Sequence, residues 1–191
     1  MPTVEEVYKY LRRWNGPEHE VGKKKELALN KLFRELCPDN KEICDILIKC
    51  STLNDFYSTN IFDVHSVAQN ILRLNIDKRL RQGDYTLVSE IAQVEVGNPP
   101  KSRTFYSFAT KYCSHHQPEK YAIYDSYVEK LLWEFQKRDE YSTFVFSDLK
   151  DYPKYMKVIH DFQIRYKLEQ FNVKELDQYL WQLGKMLFAK Y

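Results

Sequence analysis

Asn172-Val-Lys-Glu-Leu-Asp-Gln-Tyr-Leu-Trp-Gln-Leu-Gly-Lys-Met-Leu-Phe188 decides the fold class. Leu176, Leu180, Leu183 and Leu187 recur at alternating spacings of four and three residues. That spacing lines one face of a helix and no face of a strand. Asn172 stands immediately before the apolar run, where its side chain can accept a backbone N–H as an N-cap. The segment is read as a helix from Val173 to Phe188.

Working toward the N-terminus, Tyr155–Tyr166 reads as another helix and the stretch around Ser147, Lys150 and Pro153 as irregular. Asp125 or Ser126 caps a helix carrying Val128, Leu131, Leu132 and Phe135. Gln117-Pro118 ends a helix that Ser102 is expected to cap, and Gly97-Asn98-Pro99-Pro100 is the strongest loop signal in the chain. Asp84 caps a helix with Leu87, Val88, Ile91 and Val94 facing inward. Ile76–Arg81 reads as a short turn stopped by Gly83. A helix over residues 61–74 carries Val64, Val67, Ala68, Ile71 and Leu72, and 53–60 reads as a polar, aromatic connector. Three helices precede it: one opened by Thr3, one over Lys23–Leu36, and one with Ile43, Ile46, Leu47 and Cys50 on a face.

No run alternates strictly enough to predict a sheet. The fold expected is all-α, a compact multi-helix orthogonal bundle. It is read as a single domain over 1–191, with 1–52 as an N-terminal helical subdomain or lid and 53–191 as the main core.

With 191 residues and 43% hydrophobic composition, the chain can bury one substantial core. Its 29 basic and 27 acidic residues nearly cancel, so whole-chain charge gives no sign of nucleic-acid binding and any such binding needs a local patch. Cys37, Cys44, Cys50 and Cys113 include no C-x-x-C pair, which argues against a zinc ribbon or a thioredoxin-type site. No secretory signal opens the chain and no apolar run is long enough to cross a membrane, so a cytoplasmic protein with free thiols is expected. Walker, Rossmann and nucleophile-elbow motifs are absent, and five glycines leave little for a phosphate-cradling loop. No cofactor is expected.

A local patch does exist. Val96–Pro118 spans 23 residues without Asp or Glu and holds Lys101, Arg103, Lys111, His115 and His116. Phe105, Tyr106, Phe108 and Tyr112 interleave with them. Cations for phosphates and rings for bases suit nucleic acid. Adjacent helical side chains such as His115 and His116 point about 100° apart, so no metal site is expected. Downstream, Asp125 follows the aromatic run Tyr121-Ala-Ile-Tyr124.

The stretch Lys101-Ser-Arg-Thr-Phe-Tyr-Ser-Phe-Ala-Thr-Lys111, with His116-Gln-Pro118 and Ile123-Tyr-Asp125-Ser-Tyr-Val128, resembles bacterial relatives of the 8-oxoguanine DNA glycosylase branch of the helix-hairpin-helix superfamily. The resemblance implies a helix-hairpin-helix glycosylase-like fold and double-stranded DNA as partner. It implies Lys111 as the nucleophile at the sugar C1′ of a flipped nucleotide and Asp125 as its activator, with strand cleavage through a Schiff base. Phosphates would fall to Lys101, Arg103, His115 and His116, and the base pocket to Phe105, Tyr106, Phe108, Tyr112 and Tyr124. The usual Gly-rich hairpin before the lysine is missing, since no glycine lies between Ser102 and Asp125. A non-catalytic helical module that binds DNA or protein is the alternative expectation.

Overall fold

The computed structural model describes residues 2–189. Among them helices dominate. The order is α1 (Val4–Trp14), α2 (Glu20–Lys31), α3 (Ile43–Tyr57), α4 (Val64–Leu74), α5 (Asp77–Gln82), α6 (Thr86–Ala92), β1 (Gln93–Val96), β2 (Lys101–Thr104), α7 (Tyr106–His116), α8 (Ser126–Asp139), α9 (Tyr152–Tyr166) and α10 (Val173–Phe188). Backbone contacts group the chain into two units: Gly22–Tyr121, and the chain up to Val21 together with the chain from Ala122 onward. Residues 52 and 53 fall within α3, away from either division.

In the unit that joins the two ends of the chain, α10 forms as its sequence dictates. Asn172 Oδ1 accepts the Glu175 N–H and the Glu175 carboxylate accepts the Asn172 N–H, both at 2.9 Å, which satisfies two otherwise orphaned donors. Leu176, Leu180 and Leu183 are buried, whereas Leu187 is 56% exposed because the helix continues past its packing surface. One flank of α10 packs on α8 and another on α1. At the α8 crossing, a Cβ on Gly184 would lie 2.8 Å from the Tyr127 carbonyl oxygen, so only glycine permits this approach. On the α1 side, Gln182 Nε2 donates to the Tyr10 carbonyl at 3.0 Å. The 122–125 segment is anchored here by tyrosines: the Tyr152 and Tyr155 hydroxyls donate to the Ala122 and Ile123 carbonyls, each at 2.8 Å.

The Gly22–Tyr121 unit packs α3 against α4 and α7, and α6 against α4 and α7. Two expectations fail in it. A sheet exists: β1 and β2 pair antiparallel, Val94 opposite Arg103 and Val96 opposite Lys101. Ser102 therefore lies in a strand, and α7 starts only at Tyr106, after Phe105. Val94 extended the apolar period of α6, and its alternation with Val96 is too short to register as a strand. Gly97, with φ at +80°, supplies the left-handed conformation the hairpin turn needs. The 53–60 connector also fails in part. Leu53 is fully buried and α3 runs on to Tyr57, where Ser58 (φ +50°) ends it.

Candidate functional site

Seen from the residues of α7, the Gly22–Tyr121 unit has an unusual interior. All eight residues from Phe108 to His115 are buried. Helices buried on every side are normally apolar, but this one carries Thr110, Lys111, Ser114 and His115 into the interior.

Lys111 is 4% exposed. Its ammonium donates to Ser107 Oγ at 2.5 Å, one turn back on the same helix, and lies 5.3 Å from the centre of the Tyr57 ring. His115 is buried beside it, with Nε2 3.0 Å from the Tyr57 hydroxyl.

A second buried lysine, Lys49 of α3, was not anticipated. It has no exposed surface. Its ammonium donates to the Asp39 carbonyl at 2.8 Å, to Asn40 Oδ1 at 2.7 Å and to His116 Nε2 at 3.4 Å. Asn40 is the junction of this network. Its Oδ1 also accepts the Tyr112 hydroxyl at 2.6 Å, and its Nδ2 and backbone N–H donate to Asp77 at 2.6 and 3.0 Å. Burial lowers the Lys49 pKa to about 8, opposed by the attraction of Asp77. The His116 pKa is held well below the usual histidine value, first by burial and then by the Lys49 charge. A neutral His116 whose Nε2 accepts from Lys49 carries its ring proton on Nδ1.

The proposed phosphate contacts therefore divide. Lys101 and Arg103 are exposed on β2. They alternate by two residues, so they share one face of the hairpin. His115 and His116 instead point their Nε2 atoms at Tyr57 and Lys49. The proposed base-pocket rings divide too. Phe108 and Tyr112 are core residues, at 1% and 0% exposure, packed against each other with Tyr112 on Phe33. No ring face is left there for a base. Phe105 and Tyr106 are half-buried at the start of α7.

The other two positions belong to the second unit. Asp125 caps α8, its carboxylate accepting the Tyr127 N–H at 2.8 Å. Tyr124 is 8% exposed and donates its hydroxyl to Glu129. Among the described residues no three His, Cys, Asp or Glu side chains converge as metal ligands.

The family model HI_0787_N, described as an N-terminal domain, matches residues 6–120, more than half of the chain. The chain belongs to this family. An uncharacterized protein of Haemophilus influenzae is 50% identical over 153 residues, covering 80% of this chain and 72% of its own length. No solved structure matches. The HI_0787_N match takes in Lys49, Tyr57, Lys101, Arg103 and Lys111, and it stops short of Asp125.

Lys49 had a sequence signal. Ile46, Lys49, Cys50 and Leu53 follow the i, i+3, i+4, i+7 rhythm of a buried face, so a lysine occupies a core position. Tyr57 had none, because it fell in the stretch read as a connector.

Proposed function

We propose that this protein is a DNA-binding protein of the glycosylase/lyase kind, with Lys111 as the amine nucleophile. The observation that carries the reading is Lys111 itself: a lysine 4% exposed on a helix, its Nζ set by Ser107 Oγ and the Tyr57 ring. A buried lysine is rare without a purpose, and desolvation is a standard way to ready an amine for attack.

In the reaction, the Nζ lone pair of the neutral amine forms a bond to the sugar C1′ of a flipped nucleotide. The N-glycosidic bond breaks and the base leaves with its electron pair. The sugar ring then opens, its oxygen takes the proton from nitrogen, and an imine remains. Lys101 and Arg103 hold phosphates, and Phe105 and Tyr106 are the rings that remain for the base. Double-stranded DNA is the partner. The glycosylase-like fold belongs to this proposal and rests on the resemblance of 101–128. Four free cysteines, three of them buried, accord with a reducing cytoplasm.

Borohydride trapping tests the reading directly. Wild type and Lys111→Gln are incubated with duplexes carrying 8-oxoguanine or an abasic site. A covalent adduct formed by the wild type and lost in the variant is expected. No adduct on any duplex, with both proteins folded, sinks the nucleophile.

The second reading is a non-catalytic DNA-binding module, and the hairpin favours it: Lys101 and Arg103 share an exposed face whatever Lys111 does. Each phosphate contact releases counterions, so losing both cations should flatten the dependence of log affinity on log salt by about 2. An unchanged slope would remove the hairpin from the interface.

A further inference from the structure

The residue left unexplained beside Lys111 is Tyr57. It closes α3 at a point where the following loop is firmly tied. Ser58 N–H donates to Asp55 O at 3.3 Å and Thr59 N–H to Asn54 O at 3.2 Å. The Asn54 side chain holds Thr59 Oγ1 at 2.7 Å and Ile61 N–H at 2.9 Å. Tyr57 is thus presented by a rigid corner. Its ring is 36% exposed, while Lys111 and His115, which it touches, are 4% exposed each. The hydroxyl meets His115 Nε2 at 3.0 Å, which anchors the far end of the ring, and the ring centre lies 5.3 Å from Lys111 Nζ.

An aromatic face is negative and attracts a cation placed over it. In the reading of Lys111 as nucleophile, the same nitrogen is cationic twice: as the ammonium before attack and as the protonated imine after it. We propose that Tyr57, its hydroxyl anchored by His115, is the positioning residue of the Lys111 amine, fixing Nζ and favouring its cationic forms. Tyr57 acts through Lys111 and needs no contact with DNA. The proposal rests on Lys111 being the nucleophile, and its test separates the two claims. Ser107 on α7, Tyr57 at the end of α3 and His115 near the end of α7 are among the groups that meet this nitrogen or its ring partner.

The full chain is prepared with lysines carrying carbon-13 at Cε, and Lys111→Gln identifies the Lys111 resonance by its loss. Position 57 is then occupied in turn by Tyr, Phe and a ring-fluorinated phenylalanine. Size is nearly conserved across the series while the ring face becomes less negative. From Phe to its fluorinated analogue, the titration midpoint of Lys111 is expected to fall by about half a pH unit, the equivalent of an exposed cation–π contact. The acid limb of the borohydride-trapping profile should move with it, in the same direction. A merely structural role would move neither. An unmoved midpoint in the folded fluorinated protein overturns the positioning role, whatever the trapping shows. A midpoint that moves while wild type traps nothing overturns the nucleophile and, with it, the imine role, and leaves only a cation–π contact.

Discussion

The two units place polar groups in their interiors by different means, and the difference separates chemistry from architecture. In Gly22–Tyr121 the buried polar side chains include two lysines and a histidine, Lys49, Lys111 and His115, beside Asn40, Asn70, Asp77, Thr110 and Ser114. In the unit that joins the chain ends no lysine or histidine among the described residues is buried; there Tyr152 and Tyr155 donate to main-chain carbonyls and Tyr124 to Glu129. Burial raises the Tyr124 pKa, with the Glu129 hydrogen bond adding to the rise, so this phenol stays a neutral donor. Lys49 is moved the other way, toward neutrality, and titrates near 8. One interior can therefore change its charge close to physiological pH, while the phenols of the other hold helices and loops in register.

Removing the buried charge should have the largest effect. Lys49→Met leaves the Asp39 carbonyl and Asn40 Oδ1 short of a donor and strips Asp77 of its compensating cation. Breaking a buried ionic network in this way costs about 3 kcal/mol, read from chemical denaturation at neutral pH. The pH dependence supplies a sharper signature. The unfolded chain holds this proton up to the ordinary lysine value of 10.5, whereas the folded protein releases it near 8. Between those values the unfolded state binds more protons, so this lysine's contribution makes wild type more stable as pH rises through the window, and Lys49→Met lacks that slope. Equal slopes in the two proteins would place the Lys49 charge outside the interior and erase the contrast between the units.

How much of this was legible in the sequence follows from the range of each interaction. Helices α8 and α10 could be read because their apolar stripes and caps, Asp125 and Asn172, are local to each helix. The β1–β2 hairpin could not, because Val94 completes the inward face of α6 and each strand is only four residues long. Lys111 was singled out through the resemblance of 101–128, and its burial was not legible there. The Lys49 network joins Asn40 to Asp77, 37 residues apart, and to Tyr112, 72 apart, and no local rhythm encodes those pairings. The same holds for Tyr57 and His115, separated by 58 positions. Expecting His115 and His116 at a DNA surface was reasonable from the lack of acidic neighbours in sequence. It failed because α3 packs against α7 and covers both rings' Nε2 atoms.

The unit of tyrosines and close helices should respond to shape rather than to charge. Gly184→Ala puts a methyl 2.8 Å from the Tyr127 carbonyl oxygen and 2.9 Å from its carbon. Backbone cannot yield as a flexible side chain can, so α8 and α10 must part. Overpacking of this kind costs about 1–3 kcal/mol, against a helix-propensity gain of about 1 kcal/mol from replacing glycine. A net loss of stability is expected in thermal melts, without a change in its pH dependence. A stabilised Gly184→Ala would show that the α8–α10 approach is looser than the glycine implies.

The smallest change isolates one hydrogen bond. Tyr152 has no exposed surface and donates to the Ala122 carbonyl at 2.8 Å. Tyr152→Phe keeps the ring and its packing and deprives that buried carbonyl of this donor, for about 1 kcal/mol. A phenol donating to a carbonyl involves no net charge, so the loss should be the same at low and high salt and at acidic and neutral pH. The contrast with Lys49→Met is then one of kind as well as size. Residues 122–125 lead directly into Asp125, so hydrogen exchange can locate the effect. Faster exchange at Ile123 and Tyr124, with the α7 amides unchanged, is expected if Tyr152 anchors this segment alone. Exchange that accelerates equally in α7 would mean that the two interiors unfold as one, and that the tyrosine and lysine networks report a single cooperative core.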